Sequence, residues 1–539
     1  MSAFGDYKAY KKYEPAYPGW KYERDLTESK RQEYLRRHPE SIDQNDIQRG
    51  KVLIRAIDVM DEYSQKRAED MEVATETAVG YGLDAAIFGG AAGGGGVVGN
   101  LKPVKNALMK HLGKDKYSKY VGKGLPLGIG ALAGMIAAFP MFAWAAKAEV
   151  AASRRGRFEA MRKDLKNPKG FAVLTEAQIK EAEKKAQNIV INDSKKSAFS
   201  LSNGLKTIKE MALDSKEYKA HKKQFDLELL EAEKHMNDEM TPEEILKAKK
   251  DQQLLTKLVE KIDIASQDYA ENAELATQAL VAGTLAFGTL FNLLLSKALK
   301  AMKVKSEAKI SAISQIAAVT IPVIFSIASA QIQKQASRVG RFKIKQDLMN
   351  NPSKLVYVSD ENIADLKDVN VIQDRKEGLF KFLTHAWKNN KEYNQYKKTT
   401  AKQEEKFYKA IETLELTPEQ IKDAQTLQRN TFKTFNKVDE KSQKYSESIE
   451  ALGQAITLPI SLLFTGVGLI IGTKYLTKGA KSNSKLEMAT NFSKYLTAIL
   501  LSILPSIGIN AIITKEQKKA SRIADMLAIN EMSDYRHFR

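Results

Sequence analysis

The sequence predicts an all-α integral membrane protein made of three tandem repeats, each a soluble helical arm followed by a transmembrane helical hairpin, six spans in all. Three observations lead to this expectation. Six long stretches are apolar and almost uncharged, and they fall in three pairs. The heptapeptide "ASRRGRF" at Ala152–Phe158 returns as "ASRVGRF" at Ala336–Phe342 and as "ASRIADM" at Ala520–Met526, at equal intervals. Other landmarks keep the same order around each pair. Fixed interval and fixed order together are the signature of a repeat architecture.

The apolar stretches cover about 78–99, 124–146, 275–295, 310–330, 451–472 and 495–513. Each has ~20 residues, the length that crosses a hydrocarbon core at ~1.5 Å per residue. A soluble core helix keeps one polar side, whereas "LATQALVAGTLAFGTLFNLLL" has almost none. The mean hydropathy of −0.39 averages these stretches with highly charged arms. Pro140, Pro322 and Pro505 stand inside the second helix of each pair and are expected to kink it, because proline removes a helical hydrogen bond and clashes with the preceding turn. Small residues four apart, Gly82, Ala86, Gly90 and Gly94, suit close helix packing in lipid.

Each repeat opens with a Tyr/Lys segment: "DYKAYKK" from Asp6, "EYKAHKK" from Glu217 and "EYNQYKK" from Glu392. A helix start follows, "HPES" from His38, "TPEE" from Thr241 and "TPEQ" from Thr417. Thr241 with Glu244, and Thr417 with Gln420, have the spacing of capping boxes, with proline at the first helical position. Leu254, Leu255, Leu258 and Ile262 form an apolar stripe suited to a coiled or bundled helix. Next comes "SQKRAE" from Ser64, "SQDYAE" from Ser266 or "SQKYSE" from Ser442, then the hairpin and the heptapeptide. This gives repeat 1 over 1–165, repeat 2 over 195–350 and repeat 3 over 378–539. Two inserts lie between them, 166–194 and 351–377. Each reads as strand, short helix, strand, with Thr175/Gln178 and Ser359/Asn362 marking the helix starts.

Lys plus Arg total 85 against 66 acids, and the net charge of +19 favours anionic partners. The absence of cysteine excludes disulfides, thiolate metal sites and a cysteine nucleophile. The histidines are scattered without the spacing of a helical metal site. Gly94, Gly96 and Gly99 match G-x-G-x-x-G, but no strand precedes them, so no nucleotide site is expected. Catalytic, cofactor and metal residues are therefore not expected, and the chain reads as non-enzymatic with no cofactor. Arg154, Arg157, Arg338, Arg341 and Arg522 follow the hairpins and read as contacts to lipid headgroups or to a protein partner. Asp84, inside the first apolar stretch, is a candidate intramembrane ion site. Nucleic acid is not expected, since no aromatic platform or clustered-arginine helix accompanies the charge.

The partners implied are a bilayer with anionic headgroups and proteins that meet the arms. Both termini fall on one side of the membrane. Long charged tails translocate poorly, which places them on the cytoplasmic side, although the basic hairpin loops favour the reverse by loop charge. The functional expectation is a non-enzymatic multi-pass membrane scaffold or assembly component with long helical docking arms. The alternatives are a channel or transporter of three hairpins, and a virion or secretion-machine protein that inserts into a target membrane.

Overall fold

Capping chemistry sets where the long helices begin. A computed structural model describes residues 3–68, 71, 152–161, 167–191, 223, 227, 240–301, 332, 335–367, 369–372, 379–480, 508–509 and 511–532. Its helices are α1 (Ala3–Tyr13), α2 (Tyr17–Arg37), α3 (44–68), α4 (152–161), α5 (Glu176–Gln187), α6 (Pro242–Ala301), α7 (335–350), α8 (Asp360–Ala364), α9 (Leu379–Lys398), α10 (Thr400–Glu412), α11 (Pro418–Ala480) and α12 (511–531). At α6, Thr241 Oγ1 accepts from the Glu244 N–H at 3.3 Å, and Glu244 Oε2 accepts from the Thr241 N–H at 3.0 Å. At α11, Thr417 and Gln420 make the same reciprocal pair at 3.2 and 3.1 Å. "HPES" departs from this pattern. It forms a 3₁₀ turn, Pro39–Ser41, and α3 starts after Asp43, whose carboxylate accepts from the Asn45 N–H at 2.8 Å.

Helices α3, α6 and α11 bury one face each in a common core. Leu53, Ile57 and Met60 of α3 join Leu255, Leu258 and Ile262 of α6, and Leu427, Phe432 and Phe435 of α11. Spacings of three and four residues in α3 and α6, and of five and three in α11, put these side chains on one stripe per helix. An ionic clamp ties the same helices together. The Arg49 guanidinium of α3 binds Asp251 of α6 and donates to Asp423 of α11 at 2.7 Å. Asp423 also meets Lys247 at 2.6 Å.

Each described arm packs on the outgoing helix of the preceding copy of the repeated motif. Tyr10 of α1 is buried with Ile523 and Met526 of α12, and its hydroxyl donates to Glu516 at 3.2 Å. In the same manner Tyr396 of α9 lies against Phe342 of α7, ring centroids 4.9 Å apart. Met526 and Phe342 close the third and second heptapeptides, so that position receives an arm tyrosine in both.

The six-span membrane architecture is corrected. Among the described residues no helix is long and apolar enough to cross a membrane. Stretches 78–99, 124–146 and 310–330 lie outside the described residues, as does most of 495–513, and so do Asp84, Pro140, Pro322 and Pro505. Stretches 275–295 and 451–472 continue α6 and α11. A run of ~20 apolar residues fits a span, but it fits equally a helix buried on every side. Length and composition do not separate the two. The multi-pass scaffold, the channel or transporter, the membrane-inserting protein and the integral-membrane location with cytoplasmic termini are withdrawn with the spans.

The strand–helix–strand inserts are corrected as well: no strand is present among the described residues. Each insert is a 3₁₀ turn (Pro168–Phe171, Pro352–Leu355), an extended segment and a capped helix, α5 or α8. Ala172 and Leu174, like Val356 and Val358, are buried alternately, which in sequence looks like a strand. Their backbones bond to side chains and not to a ladder. Val173 O accepts from Gln420 Nε2 at 3.1 Å, and the Tyr357 N–H donates to Asp46 at 3.2 Å. Helix α5 then packs on α10, and α8 on α2. A cation from the central helices meets each 3₁₀ turn: Arg55 donates to Gly170 O at 3.0 Å and Lys257 to Lys354 O at 2.7 Å.

Candidate functional site

The repeated serines meet in pairs. Ser64 Oγ lies 2.7 Å from Ser153 Oγ, and Ser266 Oγ lies 2.5 Å from Ser337 Oγ. Ser442 bonds Ser521. Each pair joins the S-Q segment of one copy to the heptapeptide of the same copy. The adjoining glutamines then reach across copies. Gln65 Nε2 donates to Ser337 Oγ at 2.7 Å, Gln267 Nε2 to Ser521 Oγ at 2.7 Å, and Gln443 Nε2 to Ser153 Oγ at 3.0 Å. First copy bonds second, second bonds third, and third bonds first. The bonds close a cycle.

The glycine of the heptapeptide permits this approach. A Cβ at Gly156 would sit 2.2 Å from Tyr63 O, and one at Gly340 would sit 2.4 Å from Ala265 O. Outgoing and incoming helices therefore cross with backbone against backbone. The third copy has Ala524 at this position.

The second arginine of the motif makes a buried ion pair, again across copies. Arg341 Nη1 lies 3.2 Å from Asp61 Oδ2, and Arg157 pairs with Asp439. Their side chains are 7% and 3% exposed. Arg341 also donates to Gln65 Oε1. The third copy reverses the charge: Asp525 stands where the others have arginine, and it faces Asp263. Burial pushes the Asp61 carboxyl up, against the pull of Arg341 and Arg157. Burial also raises Asp263, and it raises Asp525 well above the ordinary carboxyl range, with Asp263 adding to the effect.

Comparison with protein-family models, with curated proteins and with solved structures gave no match.

The arginines singled out in the sequence gather here. Arg154 Nε donates to Gln443 Oε1 at 3.1 Å. Arg522 donates to Asp268 at 2.7 Å. Arg338 holds the matching place on α7 and is half-buried. Sequence reasoning missed Asp61, Asp263 and Asp439. The signal was available, since each stands three residues before the serine, giving D-x-x-S-Q in all three copies. The third heptapeptide carries Asp525 at the place of the motif's second arginine. Chemically the junction is a lock of polar side chains that bond chiefly to one another. Its serines and glutamine amide nitrogens serve one another, Asp525 stands apart with both oxygens buried, and among the described residues no group of three or more His, Cys, Asp or Glu is placed to hold a metal ion.

Proposed function

We propose that the chain is a non-catalytic structural protein, a single-chain pseudo-trimer whose polar junction holds α3, α6 and α11 in fixed register, with its helical arms as the surfaces that protein partners meet. The observation that supports it is the closed Gln-to-Ser cycle, because head-to-tail contacts close only when the units are related by a rotation that completes the ring. A buried hydrogen bond adds only about 0.5–1.5 kcal/mol net, while an unmade one costs about 1–3 kcal/mol. Such a network therefore selects one arrangement more than it adds stability. The apolar cluster around Leu255 and Phe432 supplies the bulk of the cohesion.

The chain has no cysteine, so spin labels can be placed singly. Lys66 and Lys444 are exposed and stand two residues after Ser64 and Ser442. Labels at Lys66→Cys and Lys444→Cys are expected to give one narrow distance distribution, broadened by Gln443→Ala. A broad distribution in the otherwise unchanged chain would contradict a register-holding role.

A further inference from the structure

Two of the three cross-copy contacts at the junction are carboxylate–arginine, Asp61 with Arg341 and Asp439 with Arg157. The third is carboxylate–carboxylate, Asp263 of α6 with Asp525 of α12. Asp525 is 2% exposed with both carboxyl oxygens buried, and the neighbouring Ser442 hydroxyl pulls its carboxyl down less than burial and Asp263 push it up. Two carboxylates in hydrogen-bonding contact inside a protein cannot both be ionised without a large cost. We propose that Asp263 and Asp525 share one proton that closes the junction between α6 and α12, and that losing this proton opens the pseudo-trimer at this junction and not at the other two. The inference rests on the geometry of the junction and does not depend on the chain being non-catalytic.

The surrounding charges leave the pair in need of that proton. Arg522 of α12 and Arg157 of α4 pull on Asp263, while Asp61 of α3 opposes them. Arg157 is engaged by Asp439, and Arg522 by Asp268. Glu260 of α6 adds further negative charge near Asp525, although Arg24 of α2 pairs with it at 2.5 Å. Gln267 Nε2 donates to Asp263 Oδ2 at 2.5 Å, and Ser442 of α11 lies beside Asp525. Neither replaces an arginine. The direction follows from linkage. The folded state holds a proton that the opened state releases, so the closed junction is fully favoured below the ordinary carboxyl pKa. It weakens as pH rises from there through the raised pKa of the pair. Over that interval the opening constant rises about tenfold per pH unit, one proton's worth.

The test is amide hydrogen exchange of the full chain at 258–268 and 519–528, corrected for the intrinsic rate, from pH 5 to 9. The expected result is loss of protection as pH rises, with a much flatter dependence in Asp525→Asn, which needs no proton to donate to Asp263. Asp525→Arg, which restores the motif, is expected to keep the junction closed at alkaline pH. An independent reading comes from infrared spectroscopy, where the carbonyl stretch of a protonated carboxyl should persist above the ordinary carboxyl pKa in the unchanged chain and be lost in Asp525→Asn. Equal pH dependence in the wild type and Asp525→Asn would overturn the proposal, as would absence of that band. Full alkaline protection by millimolar Mg²⁺ or Ca²⁺ would also overturn it, by assigning the pair to a cation instead of a proton.

Discussion

Glycine at position five of the heptapeptide is where a single atom decides the packing. A methyl group at Gly156 or Gly340 would meet a carbonyl oxygen of the crossing helix at 2.2 or 2.4 Å, so the helices must move apart and strain the serine pair between them. Gly156→Ala and Gly340→Ala are each expected to cost about 1–3 kcal/mol, the usual range for overpacking, read as a lower midpoint in urea unfolding. Ala524→Gly should lose only about 0.5–1 kcal/mol, the helix-propensity difference, because that crossing already accommodates a methyl. The recurrence of the heptapeptide and the positions of its arginines were legible in the sequence. Their partners were not. Arg341 meets Asp61 far along the chain, and no local period announces such a contact. An arginine just past an apolar run looks like a headgroup anchor until the helix beside it is known.

Among the elements, capping was the most readable feature, since Thr241/Glu244 and Thr417/Gln420 depend only on residues three apart. Thr241→Ala is expected to cost about 1 kcal/mol. Gln420 does more than cap: its side-chain nitrogen also donates to Val173 O and to Gln178 at 2.9 Å. Gln420→Ala should therefore loosen the first insert, with faster amide exchange over 172–187 than Thr241→Ala produces there. The inserts were misread as strands because alternating burial at 172 and 174, and at 356 and 358, has the strand period. What separates a strand from an extended strap is its hydrogen-bond partner, and here that partner is a side chain. The apolar stretches show a related ambiguity, because a membrane span and a fully buried helix share length and composition.

At the level of the whole molecule, ionic contacts link helices distant in sequence. Arg49 joins α3 to α6 and α11. Arg49→Met leaves Asp251 buried without its cation, and the loss is expected to reach about 3–5 kcal/mol, measured by denaturant unfolding. Glu28 gives the molecule an acid limit. Burial raises its carboxyl, but Lys257 and Lys261 outweigh this and hold it down to about 2. A folded pKa below the ordinary value near ~4.3 means that stability is present above that value and is lost as pH falls through about 2. Unfolding at pH 5, 3 and 2 should show this loss, and Glu28→Gln should flatten it.

The central claim is that three units close a ring through contacts that do not need the connecting chain. Native mass spectrometry of the full chain, cut after folding at specific protease sites inserted after Ser194 and after Asp374, tests it most directly. The account expects a single 1:1:1 complex of the three fragments, because each touches both others through a Gln-to-Ser bond and its neighbouring charges. Release of any one fragment, or a stable pair that has lost the third, would contradict it.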